Sequence, residues 1–462
     1  MNCTRRNFLA AGCASLLSRA RGAADRPPNI IFLLADDLGW GDLSCYGNRR
    51  MKTPALDRMA QEGTRFTQFY VAAAVCSPSR ASFLTGRFTP RHGVVRHFRE
   101  KQDNLSRGMP RWLDPDQAML PRLLKEAGYG TAHFGKWHLC SSDDPESPTP
   151  SRYGFDAHRV VVDNGDGLER LAPGTSGWNV WEGAKPGPRW HEWKSRSSEF
   201  IVDETIRFAE ASKDRPFFIN SWFFDPHAKL TPTARQMEPF GKYGTPFRIY
   251  YGAVGEIDRQ VARLFRRLEE LRLADNTLVL FTSDNGPEDI VIDNAEEHGV
   301  GDPGPFRGRK RSGYEGGIRM PFLVRWPKTV PAARVDESTV FSAVDFLPTL
   351  TALAGARTPS SAEIDGVDMT ASLRGTSVER ARPLFWDLRE DTVGGLINKS
   401  PKLMIREGRW KLLMNPDGSN IELYDIVKNS LEVDNLADRN PDVVERLSRR
   451  LAAWKRNPAV TF

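Results

Sequence analysis

Asn29-Ile30-Ile31-Phe32-Leu33-Leu34-Ala35-Asp36-Asp37 is the stretch that decides the fold. Apolar residues run without polar alternation from Ile30 to Ala35, then give way to two carboxylates. Three further stretches repeat that form. Gly130-Thr131-Ala132-His133-Phe134 leads into Gly135-Lys136-Trp137-His138, and residues 216–224 lead into Asp225-Pro226-His227. Thr277-Leu278-Val279-Leu280-Phe281-Thr282 leads into Ser283-Asp284-Asn285-Gly286. Near-continuous apolar strands are typical of a parallel sheet covered on both faces. Between them, apolar residues at three- and four-residue spacing predict helices over 56–62, 118–127, 198–211 and 251–271. The alternation predicts an α/β fold with a mostly parallel central sheet flanked by helices. Ligands in such sheets collect outside the carboxyl ends of the strands. Asp36, Lys136, His227 and Asp284 are therefore expected to meet, although they are far apart in the chain.

Outside this frame the chain divides further. The Gly- and Pro-rich residues 141–188 read as long irregular insertions. A small, polar linker lies around residues 355–362. Short strands at 383–387, 402–406 and 410–415 and a helix at 441–455 predict a smaller C-terminal α+β domain. The expected division is an export signal at 1–25, a catalytic domain at 26–355 and a C-terminal subdomain at 356–462. Thr4-Arg5-Arg6-Asn7-Phe8-Leu9 is similar to a twin-arginine motif, followed by a weakly apolar run and Gly22-Ala23-Ala24 as a cleavage site. A lipoprotein-like box at Ala10-Ala11-Gly12-Cys13 lies too close to Arg6 to leave a proper apolar region. The expected location is thus exported, periplasmic or secreted. No run of 18 apolar residues exists, so no transmembrane helix is expected.

The 462 residues carry a formal charge of +6, which favours anionic substrates but is too diffuse to imply nucleic acid. Of five cysteines, Cys3 and Cys13 would leave with the signal. A bridge between Cys45 and Cys140 is chemically open, but sequence cannot bring them together.

The chemistry begins with Asp36-Asp37 and Asp284-Asn285, hard oxygen donors at two strand ends. Such donors suit Ca²⁺ or Mg²⁺ rather than zinc. An isolated Asp pair is as often a solvated turn, but two pairs at convergent strand ends point to a metal. Next comes Cys76-Ser77-Pro78-Ser79-Arg80-Ala81-Ser82-Phe83-Leu84-Thr85-Gly86-Arg87. Pro78 suits the first turn of a helix. Cys76 would then sit just before that helix, whose N-terminus stabilises negative charge, with Arg80 about one turn along.

Cys76-x-Pro78-Ser79-Arg80 followed by Leu84-Thr85-Gly86-Arg87 resembles the signature of the type I sulfatases, which belong to the alkaline-phosphatase-like superfamily. In that family the cysteine is converted after translation to formylglycine. The segments at 29–37, 135–138, 225–227, 283–286, Arg307-Gly308-Arg309-Lys310, 314–317 and 423–437 also resemble family segments, in order, over about residues 28–440. The resemblance implies one Ca²⁺ ion held by Asp36, Asp37, Asp284 and Asn285, with the modified Cys76 nearby. It implies that Lys136, His227 and Lys310 hold sulfate oxygens. It also implies that Arg80 and His138 orient and service the formylglycine hydrate. One hydroxyl of that hydrate would attack sulfur, helped by Asp284, while His227 protonates the departing alcohol. His138 would take the proton of the second hydroxyl and so release sulfate. The implied partners are a sulfated carbohydrate or other sulfate ester and a formylglycine-generating maturation enzyme.

Two other functions are alternatives, the first opposed by Cys76 with Pro78 and Arg80 and the second by a site with no residue missing. A phosphatase or phosphodiesterase of the same superfamily would carry a Ser or Thr nucleophile and zinc-type ligands. A non-catalytic glycan-binding relative would have lost site residues. Lys229 stands where many relatives carry proline, and could touch a second anionic group. Arg91-His92 and Arg96-His97 are candidates to line the pocket mouth. Trp178, Trp181, Trp190 and Trp193 are candidates to stack on sugar rings or to anchor packing.

Overall fold

The computed structural model describes residues 26–162, 190–289, 297–390 and 398–458. Its centre is β1 (Asn29–Ala35), all seven residues of which are buried. β1 lies between two parallel neighbours, β5 (Phe217–Trp222) and β6 (Thr277–Ser283). Its side chains alternate between two apolar layers. Ile30, Phe32 and Leu34 join one core with Phe83, Trp222 and Phe346. Ile31, Leu33 and Ala35 join the other with Ile257, Val261 and Phe265 of the helix Thr245–Glu270. Burial on both faces explains why the strand shows no polar alternation.

The described main sheet adds β2 (Thr64–Tyr70), β3 (Gly130–Lys136), β4 (Ala157–Val161), β7 (Arg319–Arg325), β8 (Arg334–Asp336) and β9 (Phe341–Ser342). Its order is β4-β3-β5-β1-β6-β7-β2-β8, with β9 also on β2. Only β7 runs opposite to its neighbours β6 and β2. The mostly parallel sheet matches the expectation. The strand runs and the four helices were legible, with boundary shifts. For example, the helix expected from 251 begins at Thr245, where Pro246 fits the first turn. Residues 141–188 depart from expectation, because part of that stretch is β4, an edge strand paired with β3. Ala157 and His158 of β4 are only partly covered and Arg159 is exposed, so it lacks the continuous apolar run of a central strand.

A second, antiparallel sheet has the order β10 (Leu384–Asp387), β11 (Leu403–Glu407), β12 (Trp410–Met414) and β13 (Glu422–Asp425). The helix Pro441–Arg456 packs on it, with Trp454 stacked on Phe385 at 4.8 Å. This sheet shares one apolar core with the main sheet. Trp386 Nε1 donates to Val71 O at 2.8 Å. The fully buried Lys411 donates to Glu315 Oε1 at 2.9 Å and Glu432 Oε1 at 2.8 Å. Cys45 and Cys140 carry free thiols, so no bridge joins them.

Candidate active site

The strand ladder continues past its ends and builds the site. Asp36 N–H donates to Asp225 O at 3.1 Å, and Asp284 N–H donates to Ala35 O at 3.2 Å. The loops after β1, β5 and β6 are thereby tied together, and the loop after β3 stands beside them. Asp37 and His138 both take left-handed backbone, at φ 64° and 51°. For residues other than glycine this costs roughly 1–3 kcal/mol, and such strain gathers at functional sites.

Cys76 is the first residue of the helix Cys76–Thr85, and all ten residues of that helix are buried. Its Sγ lies 3.3 Å from Asp36 Oδ1 and 4.0 Å from Asp37 Oδ1. Lys136 Nζ is 3.8 Å from the same sulfur and 2.6 Å from Asp36 Oδ2. Burial and the carboxylates of Asp284 and Asp36 push the Cys76 thiol well above its ordinary range, so it stays protonated. A protonated, enclosed thiol is a poor nucleophile.

Arg80, one turn along, is fully buried. Its Nε donates to Asp284 Oδ2 at 2.8 Å, its Nη2 lies 2.6 Å from the same oxygen, and Asp36 Oδ1 is 3.5 Å away. Its guanidinium also lies 5.2 Å from the Trp222 ring centre. Lys310 Nζ reaches Asp37 Oδ2 at 2.6 Å, and Asn285 Nδ2 donates to Asp37 Oδ1 at 2.6 Å. His227 Nδ1–H donates to Ala228 O at 2.8 Å, which turns Nε2 to 3.6 Å from Asp37 Oδ2. Burial, then Lys310 and Lys136, hold His227 well below its ordinary value. His138 Nε2–H donates to Phe98 O at 3.0 Å, and Phe98 N–H donates to Ser77 Oγ at 3.0 Å. The first turn of the cysteine helix therefore fixes the His138 ring.

The carboxylates are not equivalent. Burial alone would raise Asp36, but Lys136, His227, Arg80 and Lys310 hold it well below the usual range. Burial keeps Asp37 raised despite Lys310. Burial raises Asp284 to about 7, with Asp36 and Asp37 opposing the effect of Arg80.

Among the His, Cys, Asp and Glu side chains of the described residues, Asp36, Asp37, Cys76 and His227 form a set able to hold a metal, with donor atoms all within 4.8 Å of one another. That set includes His227 and lacks the expected Asp284. Asp284 is engaged instead with Arg80 and with Asp37 N–H at 3.2 Å. Asn285 Oδ1 is buried without a hydrogen-bond partner. An orphaned amide oxygen beside three carboxylates fits a hard cation.

Asp36, Asp37, Cys76, Arg80, Lys136, His227, Asp284, Asn285 and Lys310 are thus joined by direct contacts, and His138 is tied to them through Phe98 and Ser77. Of the two dipeptides expected at the mouth, the first is elsewhere. Arg91 pairs with Asp365 and Glu363. His92 is buried, with Nδ1 accepting from Val94 N–H and Nε2–H donating to Ser82 Oγ. His97 does approach, its ring 6.5 Å from His138 and its Nδ1 2.7 Å from Glu390 Oε1. Trp193 is a packing anchor against Phe224, while Trp178 and Trp181 and the side chain of Trp190 lie outside the described residues. Lys229 is exposed. Sequence reasoning passed over Glu288, which pairs with Lys310 and Arg311. Its signal was its position in the loop after β6, two residues beyond Gly286.

Comparison with known proteins gives a consistent result. The family described as Sulfatase matches residues 28–356, and that described as N-sulphoglucosamine sulphohydrolase, C-terminal, matches residues 301–457. An N-acetylgalactosamine-6-sulfatase of Canis lupus familiaris is 37% identical over 393 residues, covering 80% of this chain and 70% of that protein. An N-acetylgalactosamine-6-O-sulfatase of Bacteroides thetaiotaomicron is 30% identical over 519 residues, covering 97% of each. Among solved structures, Ps i-CgsB in complex with k-i-k-neocarrahexaose superposes with a TM-score of 0.76 at 26% identity, over 93% of each chain.

Proposed function

The chain belongs to the sulfatase family, the sulfuric ester hydrolases of the alkaline-phosphatase-like superfamily, and from that premise we propose that it removes sulfate esters from a carbohydrate through a formylglycine made from Cys76. The observation that carries this reading is the seat of Cys76. It opens a buried helix within reach of Asp36 and Lys136, inside the motif that a maturation enzyme would read. As a thiol it is protonated and unsuited to attack; as an aldehyde hydrate it would offer an oxygen nucleophile at that position.

Asp36, Asp37, Asp284 and Asn285 would hold one Ca²⁺, whose charge would neutralise sulfate oxygens. The residues of the chain do the rest. Four cations (Lys136, Lys310, Arg80 and Arg311) face four carboxyl groups (Asp36, Asp37, Asp284 and Glu288), which they offset at most one for one. A divalent cation would leave a positive surplus for an anionic ester. Lys136 and Lys310 bind sulfate oxygens, and Arg80 keeps Asp284 aimed at the Cys76 position. His227 Nε2 delivers a proton to the departing alcohol; the negative charge of the bound ester favours the imidazolium that burial now suppresses. His138, fixed through Phe98, takes up a proton at the Cys76 side.

The two relatives are named for 6-sulfated N-acetylgalactosamine, and we take a galactose-type 6-sulfate as the first substrate to test. Residues 26–355 are read as the catalytic domain and 356–462 as a subdomain. Export through residues 1–25 belongs to the same proposal; among the described residues no helix is long and apolar enough to cross a membrane. The experiment is turnover of sulfated galactose-type sugars, aryl sulfates and phosphate esters side by side, with and without chelator. Sulfate turnover that a chelator abolishes is expected. Preferred turnover of phosphate esters would favour the phosphatase alternative, and no turnover by mature protein would favour a binding relative.

A further inference from the structure

Glu288 follows β6 by five residues and is buried. Its Oε2 lies 3.2 Å from Lys310 Nζ, and its Oε1 accepts from Arg311 Nη1 at 2.5 Å and from Asp289 N–H at 3.0 Å. Its backbone carbonyl accepts from Arg309 Nε at 3.1 Å and Nη2 at 3.0 Å. One residue thus organises three consecutive basic ones.

The backbone explains how two adjacent side chains reach one carboxylate. Lys310 N–H donates to Pro287 O at 3.0 Å, and Arg311 N–H donates to Ala74 O at 2.8 Å, two residues before Cys76. Arg311 takes left-handed backbone at φ 67°. Gly286 lets the two loops meet, because a Cβ there would stand 2.1 Å from Gly316 O. Lys310 points inward to Asp37, with its side chain 4% exposed, while that of Arg311 is 16% exposed.

A lysine ammonium is a point charge on a flexible stem, and holding it in one place costs rotamer entropy of about 2 kcal/mol. Asp37 cannot fix it alone, because Asp37 also serves Asn285 and belongs to the metal-competent set. Among the described residues Glu288 pairs with Lys310 and Arg311 rather than with the candidate metal ligands, and reaches Asp37 only through its charge. We propose that Glu288 is a positioning residue that fixes Lys310 against a sulfate oxygen and sets Arg311 beside it as a second anion contact. This rests on the sulfatase reading.

The test is a double-mutant cycle on the mature protein, using para-nitrophenyl sulfate as substrate and inorganic sulfate as competing anion. Glu288→Gln is expected to lower kcat/KM by about thirtyfold, mostly through KM, with a parallel rise in the Ki of inorganic sulfate. In a Lys310→Met background the same change is expected to cost less than about threefold. Glu288→Asp keeps the charge but shortens the reach, and is expected to fall between; it carries the test if the glutamine variant does not fold. Equal losses in both backgrounds, or wild-type kinetics for Glu288→Asp or Glu288→Gln, would overturn the proposal while leaving the sulfatase reading intact. A wild-type protein that neither turns over the ester nor binds sulfate would overturn both.

Discussion

Arg80 sits without solvent exposure between Asp284 and Asp36. Removing one partner of such a buried group leaves uncompensated charge, typically at 3–5 kcal/mol. Arg80→Met should therefore lower stability by about that amount as well as activity, measured by urea unfolding. His92 and His133 make a different prediction. Burial holds each down from 6.5 to about 3, with Arg87 adding to the effect on His92. The unfolded chain binds a proton below 6.5 that the folded chain refuses, so stability falls as pH drops through that value. Each contributes about 1.4 kcal/mol per pH unit, or about 2 kcal/mol at pH 5. His92→Gln should remove about half of that combined loss, read from unfolding curves at about pH 5 and pH 7.5. At this scale the site was legible where a residue closes an apolar strand or sits in the cysteine motif. Glu288 and Glu390 were not, because each acts through a cation or histidine brought to it by a distant loop.

The helix Cys76–Thr85 ends at Gly86, which takes φ 65° and donates its N–H to Ser82 O at 2.9 Å. A Cβ there would stand 2.9 Å from Ile364 Cγ2. Gly86→Ala should cost about 1–2 kcal/mol from left-handed backbone alone, more with the contact, and lower the melting temperature. An unchanged melting temperature would contradict the assigned conformation. The strand runs were legible because full burial leaves an uninterrupted apolar signature. β7 was less so: its sequence carries Arg319 and Arg325, which are buried against Glu315 and Glu62 rather than facing solvent. A charged residue that pairs inside the fold reads as a loop in the chain. β4 was hidden for a related reason, since an edge strand is only partly covered.

At the scale of the molecule, charge neutrality of the site and its appetite for an anion are linked. If Asp36, Asp37, Asp284 and Asn285 hold Ca²⁺, folding and binding are coupled. Calcium at a hundred times its Kd should stabilise the protein by about 2.7 kcal/mol, and Asp37→Asn should remove most of that gain. A melting temperature that ignores calcium would contradict the assigned metal. The small sheet is joined to the same core, and Lys411 reaches across to Glu315, which opens the turn following Lys310. The measurement that tests the central claim most directly is the mass of the peptide containing Cys76, from protein made in its native host or beside a formylglycine-generating enzyme. Conversion of thiol to aldehyde predicts a loss of roughly 18 Da at the nucleophile position. An unmodified Cys76 in protein that nonetheless hydrolyses sulfate esters would contradict the account.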